Sequence, residues 1–504
     1  MKKNVILGLI LMSGLCTSAV AQKGQAKNNN PKTTGHELIF NIKNAPDRKV
    51  LLAIHFRENL VIKDSAIATA AGKFIFKGDN RYDDGLYTLV SERKTPYLNL
   101  IIDRGQHFEY SIDTSGLSKN FSVKNSEPNQ VMLDFQRKNN EAQEKAQAWI
   151  EKMKAFEKSD DKDSLNFYRQ KMSDLNKEMV SFIDDMIAKY PDMLFSKMQK
   201  VYRQIDIPNA PEELNKEDGL EWQRWYYRTH YWDNVDLADG RLIFTPAFEP
   251  KMKDYFDKML KYMELDSIIK YTDVMLEKSS RDSLMYRFMV DWTSRFFQED
   301  QIMGHDAVFV HIVKNNQLKG KCPWMDEDLI SRYQKRVSRL ENILIGQTVP
   351  ELIMHDTTML DDARHMFSTH RMPKPYVILW FYDPTCHTCK TESDKLKKLY
   401  DSLETAGTRN FDVYAVAGNY DDISVWKKYV KEHNYKWVQV GGNVANYDYL
   451  THFDVNGYPV MMIMDKDHKI IANRRIEIAA ISDYIQQWER MQQNIRERED
   501  KIKK

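Results

Sequence analysis

Cysteine is scarce in this 504-residue chain, which holds four: Cys16, Cys322, Cys386 and Cys389. A small disulfide-stapled scaffold is therefore excluded. Net charge is missing as well. Lys and Arg total 74 against 73 Asp and Glu, a formal +1, so there is no basic field to hold nucleic acid or an anionic bilayer. Long apolar runs are also absent. Residues 5–15 come nearest, and they are too short to span a membrane. No GxxxxGK[ST] or GxGxxG loop, HExxH helix, GxSxG elbow or internal repeat occurs, and no cofactor is called for.

What is present points to an exported protein of several domains. The length suggests about three. Apolar residues at 42% and aromatics at 12% are enough for real cores. Lys2 and Lys3 precede the apolar run, and Ala19-Val20-Ala21 offers small residues for cleavage. Residues 1–21 thus read as a signal peptide, with the mature chain starting near Gln22 in the periplasm, where dithiols can be oxidised. The rival reading makes Cys16 the lipidated residue of a lipoprotein signal. That signal wants a small residue just before the cysteine and leucine three before it, and Leu15 and Ser13 stand there instead.

Residues 22–35 are polar and aperiodic, a linker. In 36–126, short apolar runs at 38–42, 50–54, 73–76, 87–90 and 98–102 are separated by Gly, Asp and Asn, which predicts a small antiparallel β-sandwich. Residues 127–343 predict an all-α region, with long amphipathic stretches at 131–156 and 163–190. Its aromatic cluster at 222–232 and the helical stripe at 282–297 read as core. Cys322, without a cysteine neighbour, reads as a buried inert thiol. Residues 344–495 alternate strand and helix, an α/β domain, and 496–504 form a charged tail.

Within 344–495, the run Tyr376-Val377-Ile378-Leu379-Trp380-Phe381 suits a strand buried on both faces. Cys386-His387-Thr388-Cys389 follows at once, then a helical pattern from 392 to 403. That placement has a chemical reason. The thiolate is the nucleophile, and the unpaired N–H groups and positive dipole end of a helix start stabilise it. Cys386, just before the helix, is the candidate nucleophile. Cys389, one turn in, is the candidate resolving thiol. Asp383 reads as a turn residue. Downstream, Gly457-Tyr458-Pro459 precedes another apolar strand.

Strand, C-x-x-C, helix and a later Gly-x-Pro resemble the thioredoxin fold. Gly346-Gln347-Thr348-Val349-Pro350 and an extra helix and strand at 421–440 resemble the TlpA/ResA-like branch of extracytoplasmic thiol–disulfide oxidoreductases. The resemblance implies that Pro459 is cis and faces the dithiol, keeping metals from bridging it, so no metal site is expected. It implies that the Tyr458 backbone pairs with an extended substrate segment. It also implies that Glu392, three after Cys389, tunes the dithiol. The catalytic candidates are then Cys386, Cys389 and Glu392, and the substrate-binding candidates are Tyr458, Pro459 and His387. The implied partners are protein disulfides or dithiols and an upstream redox donor.

This chain also departs from the pattern. Thr385 replaces the usual Trp before the first cysteine, and Trp380 stands where cytoplasmic thioredoxins bury an aspartate. His387 occupies the first dipeptide position, where an imidazolium raises the reduction potential. The direction of electron flow stays open, with the branch favouring a reductase. Asp64-Ser65 with Gly72-Lys73-Phe74, and His230-Tyr231-Trp232-Asp233-Asn234 with Thr245-Pro246, resemble β and helical domains of unknown function that accompany thioredoxin-like domains. The alternative function is a non-enzymatic exported binding or scaffold protein with an incidental dithiol.

Overall fold

Strand β1 (His36–Lys43) buries every second residue, with Leu38, Phe40 and Ile42 in the core, as a half-buried strand must. It opens a computed structural model that describes residues 35–45, 47–113, 120–158, 161–356, 366–418, 423–474 and 476–502. The signal peptide, its lipoprotein alternative and nearly all of the linker lie outside the described residues. The chain divides into two compact units, Met1–Met263 with Val274–Phe288, and Glu264–Asp273 with Met289–Lys504.

In the first unit β1 is followed by β2 (Lys49–Phe56), β3 (Asn59–Ile67), β4 (Lys73–Gly78), β5 (Gly85–Ser91), β6 (Pro96–Ile102), β7 (His107–Asp113) and β8 (Ser122–Lys124). They form two four-stranded sheets, ordered β4-β1-β7-β8 and β3-β2-β5-β6. One shared core, with Phe40, Phe76 and Tyr110 from the first sheet and Leu52, Leu89 and Leu100 from the second, makes a sandwich. Its pairs are antiparallel except β1–β7, which is parallel. The chain leaves for the other sheet between those two strands, and that long excursion allows a parallel return. Helices α1 (Glu127–Lys158), α2 (Lys162–Lys189), α3 (Leu194–Tyr202), α4 (Lys216–His230) and α5 (Phe248–Tyr255) follow. The buried Asn129 of α1 closes the edge of β6 as a strand would. Its amide oxygen accepts the Ile101 N–H at 2.7 Å and its amide nitrogen donates to the Ile101 carbonyl at 2.8 Å.

The aromatic cluster is core only in its second half. Tyr231 and Trp232 are buried against Tyr255, but Trp225 on α4 is 48% exposed. Spacing of four residues along α4 makes rings stack on one another rather than enter the core. Trp222 stacks on Tyr226 at 5.4 Å, and Tyr226 on His230 at 3.9 Å.

Helices α6 (Leu265–Ser279) and α7 (Ser283–Glu299) contribute residues to both units. The second unit continues with α8 (His305–Asn315), α9 (Glu327–Glu341), β9 (Ile353–Asp356), β10 (Met366–Ser368), β11 (Tyr376–Tyr382), α10 (His387–Thr405), β12 (Phe411–Ala417), α11 (Ile423–His433), β13 (Val438–Ala445), α12 (Tyr449–His452), β14 (Val460–Met464), β15 (Ile470–Ala472) and α13 (Ile481–Ile502). The seven strands form one sheet, β10-β9-β13-β12-β11-β14-β15. Central β11 is buried along its whole length, parallel to β12 and antiparallel to β14. This is the expected thioredoxin-like α/β domain, and the chain as a whole is sandwich, helical region and α/β domain. Helix α13 runs further than the 481–491 pattern suggests, since no Gly or Pro interrupts its Gln, Arg, Glu and Lys residues. Among the described residues no helix is long and apolar enough to cross a membrane.

Candidate active site

The buried strand β11 ends at Tyr382, and the chain turns at once. Asp383 Oδ1 accepts both the backbone N–H and the hydroxyl of Thr385 at 2.7 Å, and the Asp383 carbonyl accepts the Cys386 N–H at 3.1 Å. Asp383 is thus a turn residue, and the turn delivers Cys386 to the N-cap of α10. There Cys386 Sγ accepts the Cys389 N–H at 3.2 Å, the bond that a Ser or Asp oxygen makes at an ordinary N-cap. A half-buried sulfur thus takes the place of a capping oxygen at the start of the helix.

Cys389 is fully buried in the core that also holds Trp380, Tyr382, Trp426 and Tyr429, and both thiols are free. Burial pushes the Cys389 thiol up to about 12. A backbone hydrogen bond from Asp383 opposes this, and the Cys386 sulfur reinforces it. In the same core, the Trp380 indole donates to Ser393 Oγ at 3.0 Å. Trp426 donates to the Tyr382 hydroxyl at 2.9 Å, and that hydroxyl donates to Gln439 Oε1 at 2.6 Å. The position expected to lack a carboxylate thus holds an indole whose polar atom is satisfied.

Glu392 lies three residues beyond Cys389 on α10. Its side chain is 8% exposed and accepts a hydrogen bond from Lys395 Nζ at 2.9 Å. His387, the first residue of α10, is exposed. The Tyr458–Pro459 bond is cis. Val460 pairs with Phe381, so Pro459 sits beside the end of β11 from which the dithiol turn departs. Tyr458 is half-buried. Burial raises its hydroxyl pKa, and the charges of Asp383 and Cys389 add to the rise, so its ring belongs to the dithiol neighbourhood. Gly418 makes room for it: a Cβ there would lie 2.0 Å from the Tyr458 hydroxyl. Nothing in the sequence marks Gly418 beyond its place just past a buried strand. Among the described residues no group of three or more His, Cys, Asp or Glu is placed to hold a metal ion.

Residues 374–470 match a family model described as thioredoxin-like. Residues 37–132 and 195–342 match two models described as domains of unknown function, DUF4369 and DUF5106. No curated protein matches the chain. Solved structures do. A thioredoxin-like protein from Bacteroides caccae is 16% identical over 56% of this chain and 98% of its own, with a TM-score of 0.43. The thioredoxin domain of a thiol-disulfide oxidoreductase from Bacteroides vulgatus is 21% identical over 29% and 96%, TM-score 0.24. A thiol-disulfide oxidoreductase from Bacteroides fragilis is 15% identical over 26% and 93%, TM-score 0.22. The chain carries a thioredoxin-like domain behind two domains of unknown function.

Proposed function

We propose that this protein is an extracytoplasmic thiol–disulfide oxidoreductase, working in the periplasm as a reductase of protein disulfides. The observation that carries the reading is the asymmetry of its two thiols. Cys386 is reachable and faces a helix-start N–H, whereas Cys389 is sealed and held protonated. The thiolate of Cys386 attacks one sulfur of a client disulfide. A mixed disulfide forms and the other client sulfur leaves as a thiolate, which takes up a proton. Cys389 then loses its proton and attacks Cys386 Sγ, expelling the second client thiolate. Two electrons pass to the client, and Cys386–Cys389 ends as a disulfide that an upstream donor must reduce. Glu392 serves as the proton partner of Cys389. Tyr458 and Pro459 receive the client's extended backbone, and His387 lines the approach.

The test is trapping. In the full chain, Cys389→Ala should still attack but not release, and so accumulate reductant-sensitive adducts in the host periplasm. Adding Cys386→Ser should remove them. Absence of adducts, together with a wild type that cannot reduce insulin, would replace this reading with an exported binding protein.

A further inference from the structure

The loop that ends in the cis bond is held by a helix from outside the thioredoxin-like match. Asp454, in loop 454–459, has a backbone φ of +50°, which an L-residue seldom adopts, and its carboxylate is 8% exposed. A nearly buried carboxylate needs partners. Arg336, on α9, pairs with Asp454 Oδ2, and Arg339, one turn on, lies 3.9 Å from Oδ1. Arg339 also donates to Asn456 Oδ1 at 3.0 Å, and Asn456 Nδ2 donates to Asp454 Oδ1 at 2.7 Å. Two guanidiniums on one helix face therefore close on a carboxylate and an amide that shortly precede Tyr458–Pro459.

We infer that Arg336 and Arg339 are positioning residues for the client-binding loop: they fix the height at which Tyr458 and Pro459 meet an extended protein substrate. The inference rests on the oxidoreductase reading and assigns the helical region a part in it. The same helical stretch has a second anchor at the end of β15, where Asn473 Nδ2 donates to the Ile343 carbonyl at 2.9 Å and to Asp306 Oδ2 at 2.5 Å. That anchor bonds no residue of the loop, so it serves as a control.

The experiment uses the full chain and two readouts: steady-state reduction of insulin, and alkylation of Cys386 by iodoacetamide, which needs no docking. Arg336→Gln/Arg339→Gln should raise KM for insulin about tenfold while kcat and the alkylation rate stay within about twofold. Arg336→Lys should recover part of the loss. Asp454→Asn should raise KM too, and combining it with Arg336→Gln should add little, because one interaction is removed twice. Asn473→Ala should leave KM unchanged. An unchanged KM in the double arginine variant, or an equal rise in Asn473→Ala, overturns the inference while the oxidoreductase reading stands. A fall in alkylation parallel to turnover overturns it as well, since the dithiol itself would then be disturbed. A wild type that neither reduces insulin nor forms adducts removes both. Should the double variant fail to fold, Arg336→Lys and Asp454→Asn decide the matter by the same KM criterion.

Discussion

Cys322, in the loop between α8 and α9, is 3% exposed, and Cys389, on the first turn of α10, is not exposed at all. Burial pushes both thiols up to about 12. By burial and acidity alone they are the same group. Their neighbours differ. Beside Cys322 the charge of Asp291 makes ionisation harder and Lys321 opposes it less, and among the described residues no other thiol acts on it. Beside Cys389 stands a half-buried sulfur that accepts its own N–H. A perturbed acid therefore marks a site only where a reaction partner is poised next to it.

The largest expected effect breaks this comparison directly. Cys389→Ala should lower insulin turnover by at least about a thousandfold, since release of the mixed disulfide has no other route. Cys322→Ala should keep turnover within about twofold and cost about 1–2 kcal/mol in urea unfolding, as loss of a small buried side chain does. Native iodoacetamide should label Cys386 alone. A Cys322→Ala variant with turnover down tenfold would make the two thiols functionally alike.

Next comes pH, where the first unit supplies a contrast. Burial alone would raise the Asp239 carboxyl, but hydrogen bonds and charge from Arg241 and Lys197 outweigh it and hold the group at about 2. The folded value lies below the ordinary one of 3.8. The resulting stability, about 2 kcal/mol, is therefore present above roughly pH 4 and lost as pH falls towards 2. The buried thiols run the other way. Their folded values are raised, so their contribution is intact below about pH 9 and disappears as pH climbs towards 12. Asp239→Asn should thus destabilise at pH 7 and approach wild type near pH 2.5 in urea titrations. A gap that stays constant across that range would mean that the ion cluster is not what holds the carboxyl down.

The parts of the molecule that were legible in the sequence are those whose determinants are neighbours in the chain. Seven consecutive apolar residues define β11, the dithiol follows within a few residues, and α10 announces itself by period. The alternation in β1 and β4 is equally local. What was not legible depends on partners far apart. The parallel pairing of β1 with β7 follows from a whole sheet inserted between them. The fit of Tyr458 over Gly418, and the grip of Arg336 on Asp454, join residues that share no periodic pattern. On α4, spacing and aromaticity were visible, but whether rings face the core or one another is a matter of packing. Of the candidate site, the dithiol, the proline and the Asp383 turn were readable locally, whereas the distant residues that hold the proline loop, Gly418, Arg336 and Arg339, were not.

The smallest effect sharpens the comparison from within the site, and it concerns Glu392. An acidic residue near a helix start can simply complement the dipole, but that effect fades within the first turn. Glu392 lies past the first turn of α10, and its carboxylate is nearly buried, which solvation alone disfavours. Its ion-pair partner Lys395 is 59% exposed, so that pair is mostly solvent-screened. Cys389 lies three residues back along α10, and a thiol pushed up to about 12 must lose its proton before it can attack; the role proposed for Glu392 is to take that proton. Glu392→Gln keeps the shape and removes the carboxylate. It should slow resolution of a preformed Cys386 mixed disulfide about tenfold, measured by rapid quench, while alkylation of Cys386 stays within about twofold. Lys395→Ala, which leaves the carboxylate in place, should change resolution less than about twofold. Equal slowing of attack and resolution in Glu392→Gln would reduce the residue to a helix acid, and Cys389 would then resemble Cys322 in everything but its neighbouring sulfur.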